Sequence, residues 1–324
     1  MESSVVVFCV KIRHSGRIAA SRRHLDVVSP RFCRKLVYSI AGESNRRKRM
    51  FRKGFGRASL GSACLAAMMV SGAGTASASV LVPHRAVYDL ELKDASDRSG
   101  ISGMYGRMVY EFNGSACEGY TVSFRFVTQV NTGEETRMTD QQTTTYEDMK
   151  SGNFRFLTRS FTDEKLDKEV RGTAHDDKTG VKVELTAPDK REVELAASRF
   201  PTEHMVEVID RAKKGESLFE ARIFDGSDSG DKTLITSTFV GKSRKPTADE
   251  PDAGKAGKLG TENYWPVTIS YFNDDKSGDA LPIYRMSFKL YENGITRDLT
   301  MDYGDFVLSG KLADLEVFKP EECK

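Results

Sequence analysis

The sequence predicts an all-β, mainly antiparallel domain carrying one helix, and three observations lead there. Tyr120, Val122, Phe124 and Phe126 alternate with Thr121, Ser123 and Arg125, and Tyr284, Met286, Phe288 and Leu290 alternate with Arg285, Ser287 and Lys289. This period of two buries one face of a strand and leaves the other wet. Turn pairs recur between such runs, at Asn113-Gly114, Asp176-Asp177, Asp225-Gly226, Asn273-Asp274 and Asn293-Gly294, as antiparallel hairpins require. Only Pro201 to Lys214 has a clear helical period, with Met205, Val208, Ile209 and Ala212 on one face and Gly215 where the chain should stop.

Taken in order, strands are expected at Val80 to Leu92, along the face Met104, Met108, Tyr110 and Phe112, through Tyr120 to Phe126, at Thr136 to Tyr146 and at Phe154 to Phe161. Val181, Val183 and Leu185 mark another, after which the helix follows, covering a sheet face or plugging an opening. Ser217 to Phe224, Thr233 to Val240, Trp265 to Tyr271, Tyr284 to Leu290, Ile295 to Tyr303 and Phe306 to Val317 complete the set. Lys242 to Thr261 is the longest polar loop and is read as a mobile insertion within one domain.

Ahead of this domain, Arg46 to Arg57 is basic, Ala63 to Val70 is a short apolar run, and Ala76-Ser77-Ala78 fits an A-x-A cleavage site. Cleavage is expected between Ala78 and Ser79. The apolar run falls short of the ~20 residues a spanning helix needs, so no transmembrane anchor is expected. Met50 as a start gives a secretory signal peptide over 50–78 of ordinary length, which makes 1–49 a dispensable or untranslated extension and 79–324 a single exported domain.

Removing the leader changes the charge. Of 49 basic and 47 acidic residues, 15 and 3 lie in 1–78, which leaves 34 and 44, a net charge of −10. Nucleic acid is then excluded as a partner class, because phosphate binding rests on excess Lys and Arg. Cys9, Cys33 and Cys64 also precede the cut, leaving Cys117 and Cys323. Two cysteines in an exported chain most simply form one disulfide in an oxidising compartment such as a periplasm. A reactive thiol or a metal ligand is the alternative, although neither cysteine has a CxxC partner.

Catalytic patterns are missing from the sequence. His84, His175 and His204 show no H-E-x-x-H spacing, and no G-x-S-x-G, P-loop or dinucleotide fingerprint occurs. No catalytic, cofactor-binding or metal residues are therefore assigned. Asp225, Ser227, Ser229, Gly230 and Asp231 begin like a calcium loop, but Thr236 stands where a bidentate Glu belongs, so a polar hairpin turn is the better reading. The strand faces Tyr120, Val122, Phe124, Phe126 and Tyr284, Met286, Phe288, Leu290 are either an ordinary β core or the lining of an apolar groove in a curved sheet that holds a lipid or lipopeptide.

The order "VPHRAVYDLEL", "SGISGMYGRMVYEF", "FDGSD", "ISYF" and the closing cysteine resembles the EipB family, periplasmic cell-envelope-integrity proteins of Gram-negative bacteria. The resemblance implies a strongly curved, many-stranded β-spiral, barrel-like, with the helix central, and a Cys117–Cys323 staple. It implies no enzymatic activity, a role in envelope stress resistance, and association with a periplasmic protein partner, including one of helical (TPR-like) repeats. The leading expectation is a non-enzymatic interaction scaffold; a carrier or sensor of lipid or lipopeptide is the alternative, and an enzyme acting on envelope polymer comes third. A fully packed interior favours the scaffold and an open apolar cavity the carrier.

Overall fold

The computed structural model describes residues 81–320 apart from 178, 248 and 275–280. The leader, the cleavage site at Ala78 and Ser79, and Cys323 lie outside the described residues. Fourteen strands form one antiparallel sheet. Eight precede the helix: β1 (His84–Ala95), β2 (Gly103–Ser115), β3 (Gly119–Asn131), β4 (Thr136–Asp148), β5 (Asn153–Thr162), β6 (Lys165–Asp176), β7 (Gly180–Ala187) and β8 (Arg191–Ala196). After α1 (Pro201–Lys213) come β9 (Leu218–Ile223), β10 (Leu234–Val240), β11 (Trp265–Asn273), β12 (Tyr284–Leu290), β13 (Thr296–Asp302) and β14 (Phe306–Val317).

The order across the sheet runs from β8 down to β1, then from β14 down to β9. First and last strands therefore pair at its centre, with His84 opposite Val317. The chain then has to pass from β8, at one edge, to β9, at the other. Fourteen strands spaced ~4.8 Å apart would set those edges roughly 60 Å apart on a flat sheet. The connection is essentially α1, about 20 Å long at 1.5 Å per residue, so the sheet must curl. It curls until Arg199, three residues beyond β8, forms a parallel bridge with Ile223 in β9. The Arg199 N–H donates to Arg222 O at 2.8 Å, and the Phe224 N–H donates to Arg199 O at 2.9 Å. Among the described residues no ladder joins β8 to β9, so the sheet is barrel-like and open.

Curling places α1 against the concave face. Val208, Ile209 and Ala212 are buried in one core with Tyr88, Leu90, Phe126, Leu290, Leu299 and Leu308. The helix stops as its sequence predicts. Gly215 has φ +78°, and the N–H groups of Gly215 and Glu216 donate to Ala212 O and Arg211 O, the paired bonds of a Schellman ending.

A second core of Phe154, Phe156, Phe200 and Phe224 joins the two arms of the curl. Phe154 stacks on Phe200 at 4.9 Å, and Phe224 meets Phe154, Phe156 and Phe200 edge-on. The "FDGSDSG" turn thus acts as a clasp. Gly226, at φ +71°, lies so close to the Phe156 ring that a Cβ would sit 2.4 Å from it. The Lys168–Asp228 and Arg191–Asp231 ion pairs tie the same turn to β6 and to β8. Such exposed pairs contribute at most about 1 kcal/mol each, so the ring cluster carries most of the clasp.

The loop expected to be mobile packs against the sheet at several side chains. It contains a 3₁₀ segment, Ala253–Thr261, with Ala256 and Leu259 buried. Asp252 and Glu250 pair with the fully buried Arg297 of β13. Two of its acidic residues thus pair inward, while Lys242, Lys245, Lys255 and Lys258 are exposed.

Candidate functional site

Between α1 and the concave face lies an apolar cavity of about 290 Å³. Strand register builds its walls. Tyr110 is opposite Phe124 and Phe112 opposite Val122 across β2 and β3. On the far arm, Tyr271 is opposite Tyr284, Ile269 opposite Met286 and Val267 opposite Phe288 across β11 and β12. Side chains directly opposite on antiparallel strands share a face, so each alternating run presents its apolar members inward as pairs. Pro201, Met205 and Val208 of α1 form another wall.

Five of the eight residues expected to line a groove do so: Val122, Phe124, Tyr284, Met286 and Phe288. The other three, Tyr120, Phe126 and Leu290, are buried in the main core. The same strand faces therefore border the cavity at some points and pack into the core at others.

Among the described residues no Lys or Arg lines the cavity, and burial shifts its titratable groups towards their neutral forms. Burial lowers the His84 imidazole, partly offset by its hydrogen bond to the Val82 carbonyl. Nδ1 lies 2.7 Å from that carbonyl oxygen, so Nδ1 carries the proton and Nε2 is left as an acceptor. Burial pushes His204 down to about 4, and its Nε2 lies 3.4 Å from Thr236 Oγ1. The Asp225 carboxyl is raised by burial, against the Ser227 hydroxyl and N–H that bond to it. Burial also raises the Tyr110, Tyr271 and Tyr284 hydroxyls.

Glu147, at the end of β4, fastens the helix that forms the cavity wall. Phe200 in the N-cap position supplies no side-chain oxygen, and Pro201 begins the helix. The Thr202 N–H donates to Glu147 Oε2 at 2.7 Å and the Glu203 N–H to Oε1 at 2.8 Å. A carboxylate from a distant strand thereby does the work of an N-cap side chain and meets the positive end of the helix dipole. Burial nevertheless pushes its carboxyl up to about 7, against those two donors and with Glu203 repelling the anion. On the other side of Glu147 is a larger polar cleft of about 670 Å³ that includes Arg199, Glu203, Glu207 and Arg222.

Cys117 lies in the turn between β2 and β3. His175 is near Asn153, with Nδ1 3.0 Å from Oδ1, and takes no part in either cavity. No group of three or more His, Cys, Asp or Glu residues that could hold a metal occurs among the described residues. Nor does any helix among them have the length and apolarity to cross a membrane. Glu147 gave no signal in the sequence, because its partners are 55 and 56 residues away. Tyr110 and Met205 were visible as members of apolar faces, but their place beside a cavity depends on the curl.

A cell envelope integrity protein, EipB, from Brucella abortus (strain 2308) is 52% identical over 249 residues, which is 76% of this chain and 88% of that protein. The crystal structure of a beta-barrel-like protein of a domain of unknown function, also from Brucella abortus, superposes with a TM-score of 0.72 at 49% identity, covering 75% of this chain and all of that one. The EipB-like family profile matches residues 75–319, so the match takes in the central β1–β14 pairing, the clasp, the helix and the cavity walls alike. The chain belongs to the EipB-like family.

Proposed function

We propose that this protein maintains the cell envelope, in the periplasm and without catalysis, by binding a lipid or lipopeptide chain in the cavity between α1 and the curved sheet. The apolar cavity of about 290 Å³ carries this reading. Its size is at the lower end of small-molecule pockets, which start at roughly 300 Å³, and suits one acyl chain better than two. The envelope role is taken from the relative's name. The periplasmic setting rests on the leader over 50–78 with cleavage between Ala78 and Ser79, and a Cys117–Cys323 disulfide would persist there.

Val122→Trp tests the reading by filling the cavity from β3. The variant is expected to keep its β-rich circular dichroism and to lose at least about tenfold in affinity for the apolar fluorophore N-phenyl-1-naphthylamine, equivalent to about 1.4 kcal/mol. Cells carrying it in place of the natural protein should become detergent-sensitive. A variant that binds the fluorophore normally would remove the cavity as the site, and one that loses binding with the envelope intact would remove the cavity from the function.

A protein-interaction scaffold is the second reading. Leu218 and Phe239 pair across β9 and β10 and are 66% and 54% exposed at the sheet's edge. A helical-repeat partner offering an apolar groove would cover them.

A further inference from the structure

We infer that the cavity selects an uncharged, ester- or hydroxyl-bearing acyl chain and rejects the carboxylate of a free fatty acid. This rests on the cavity being a binding site, and it assigns the chemical class of the ligand from the polar groups of the lining.

Among the described residues no Lys or Arg lines the cavity, and burial lowers His84 and His204 below the usual imidazole range. An anion entering would lose its water without gaining a counter-charge, which disfavours it strongly. Asp225 in the same lining supplies no positive charge to offset an entering carboxylate. A ligand that is charged must hold its charge outside.

A plain hydrocarbon would leave hydrogen-bonding capacity unused. Tyr110 and Tyr271 line the cavity, and neither hydroxyl makes a hydrogen bond to protein among the described residues. A hydroxyl that a ligand closes off from water without offering it a partner weakens binding. His84 adds an acceptor, because its Nδ1 proton is committed to the Val82 carbonyl and Nε2 is not. The His84 ring lies 5.7 Å from that of Tyr110, and the Tyr271 ring 5.4 Å from that of Tyr284, so polar positions stand on both arms of the sheet within an otherwise apolar lining. Tyrosine hydroxyls donate to an ester carbonyl, and an imidazole nitrogen accepts from an alcohol. A monoacylglycerol-type chain offers both groups and carries no charge.

The test displaces N-phenyl-1-naphthylamine from the purified protein at pH 8 with two ligands of equal chain length, monodecanoylglycerol and decanoate. The ester is expected to displace it at a concentration at least about tenfold lower than decanoate, the margin set by the unpaired carboxylate. Tyr271→Phe and Tyr110→Phe should each narrow the ester's advantage over decanoate severalfold, which a general loosening of the fold would not do. Decanoate competing as well as the ester, tyrosine variants without effect, or neither ligand displacing a bound fluorophore would overturn the assignment. A fluorophore that never binds would instead overturn the carrier reading on which it depends.

Discussion

Arg297→Ala is expected to destabilise the protein by about 3–5 kcal/mol, the cost of breaking a buried ion pair from one side. Arg297 is fully buried. Its Nε donates to the Tyr291 hydroxyl at 2.8 Å, its Nη1 to Asp252 Oδ1 at 2.7 Å, and its Nη2 to Glu250 Oε2. Alanine would leave Asp252 as a carboxylate that is only 2% exposed, with no facing guanidinium. It would also free the loop that those carboxylates anchor. Thermal denaturation should show a melting temperature at least about 6 °C lower, at roughly 2–4 °C per kcal/mol for a domain of this size. Trypsin should cut first within 242–262. A loss below about 1 kcal/mol would mean that the loop is held by Ala256 and Leu259 instead.

The same network sets an acid limit. Burial would raise the Glu250 carboxyl, but hydrogen bonds from Lys289, Arg297 and Tyr264 outweigh it and hold the group at about 2. A carboxyl lowered on folding contributes stability above its unfolded value near 4.5 and loses it as pH falls towards 2. In Arg297→Ala that loss should be smaller and end at higher pH, because the folded-state value moves back towards 4.5.

Glu147→Ala should have the second largest effect, and one with the opposite pH dependence. The substitution uncaps two N–H groups at the start of α1, a loss of about 1–3 kcal/mol. Glu147 is raised to about 7 by burial, so the folded protein binds its proton more tightly than the unfolded chain. The stability this contributes is complete below about 4.5 and disappears as pH rises through 7. Its surroundings fix the direction: Glu203 and the Tyr110 and Tyr120 rings repel or desolvate the anion, while Arg199 is already paired with Glu203 and Glu207. The gap in stability between the natural protein and Glu147→Ala should therefore narrow between pH 5 and pH 8, by up to about 3 kcal/mol. Denaturant titrations at the two pH values measure it. A gap that widens would show that the two N–H donors, which favour the anion, prevail over burial.

Local pattern carried much of this fold. The runs 120–126 and 284–290 alternate because each strand has one face on the core, and both fall within strands, β3 and β12. The helix was legible at both ends, from Pro201 and Gly215. Two strands left no such trace. In β6, "KLDKEVRGTAHD", the inward positions after Val170 are filled by Gly172 and Ala174, and the first four residues are exposed and charged or polar save Leu166. The small residues are needed because a Cβ on Gly172 would meet the Phe156 ring at 2.7 Å. In β8, "REVELA", the strand is a sheet edge, and its charges protect an unpaired backbone at the expense of the apolar signal.

The cavity was half legible for a related reason. Alternation shows which side chains face inward, and it cannot show how far α1 stands from them. Val122 and Phe124 border open space while Phe126, on the same face, is packed solid, a difference made by the curl and by where the helix crosses it. Glu147 and the acidic partners of Arg297 act across 45 to 56 residues, so no window along the chain contains both ends of either interaction.

The most direct test of the account is a native mass spectrum of the mature protein, taken gently from the periplasm before any detergent. The account predicts a chain beginning at Ser79, two hydrogens lighter than its reduced form, with a stoichiometric single-chain lipid adduct that Val122→Trp lacks. A bare chain in every gentle preparation, or an adduct that persists in Val122→Trp, would contradict the claim that this cavity is where the protein holds its ligand.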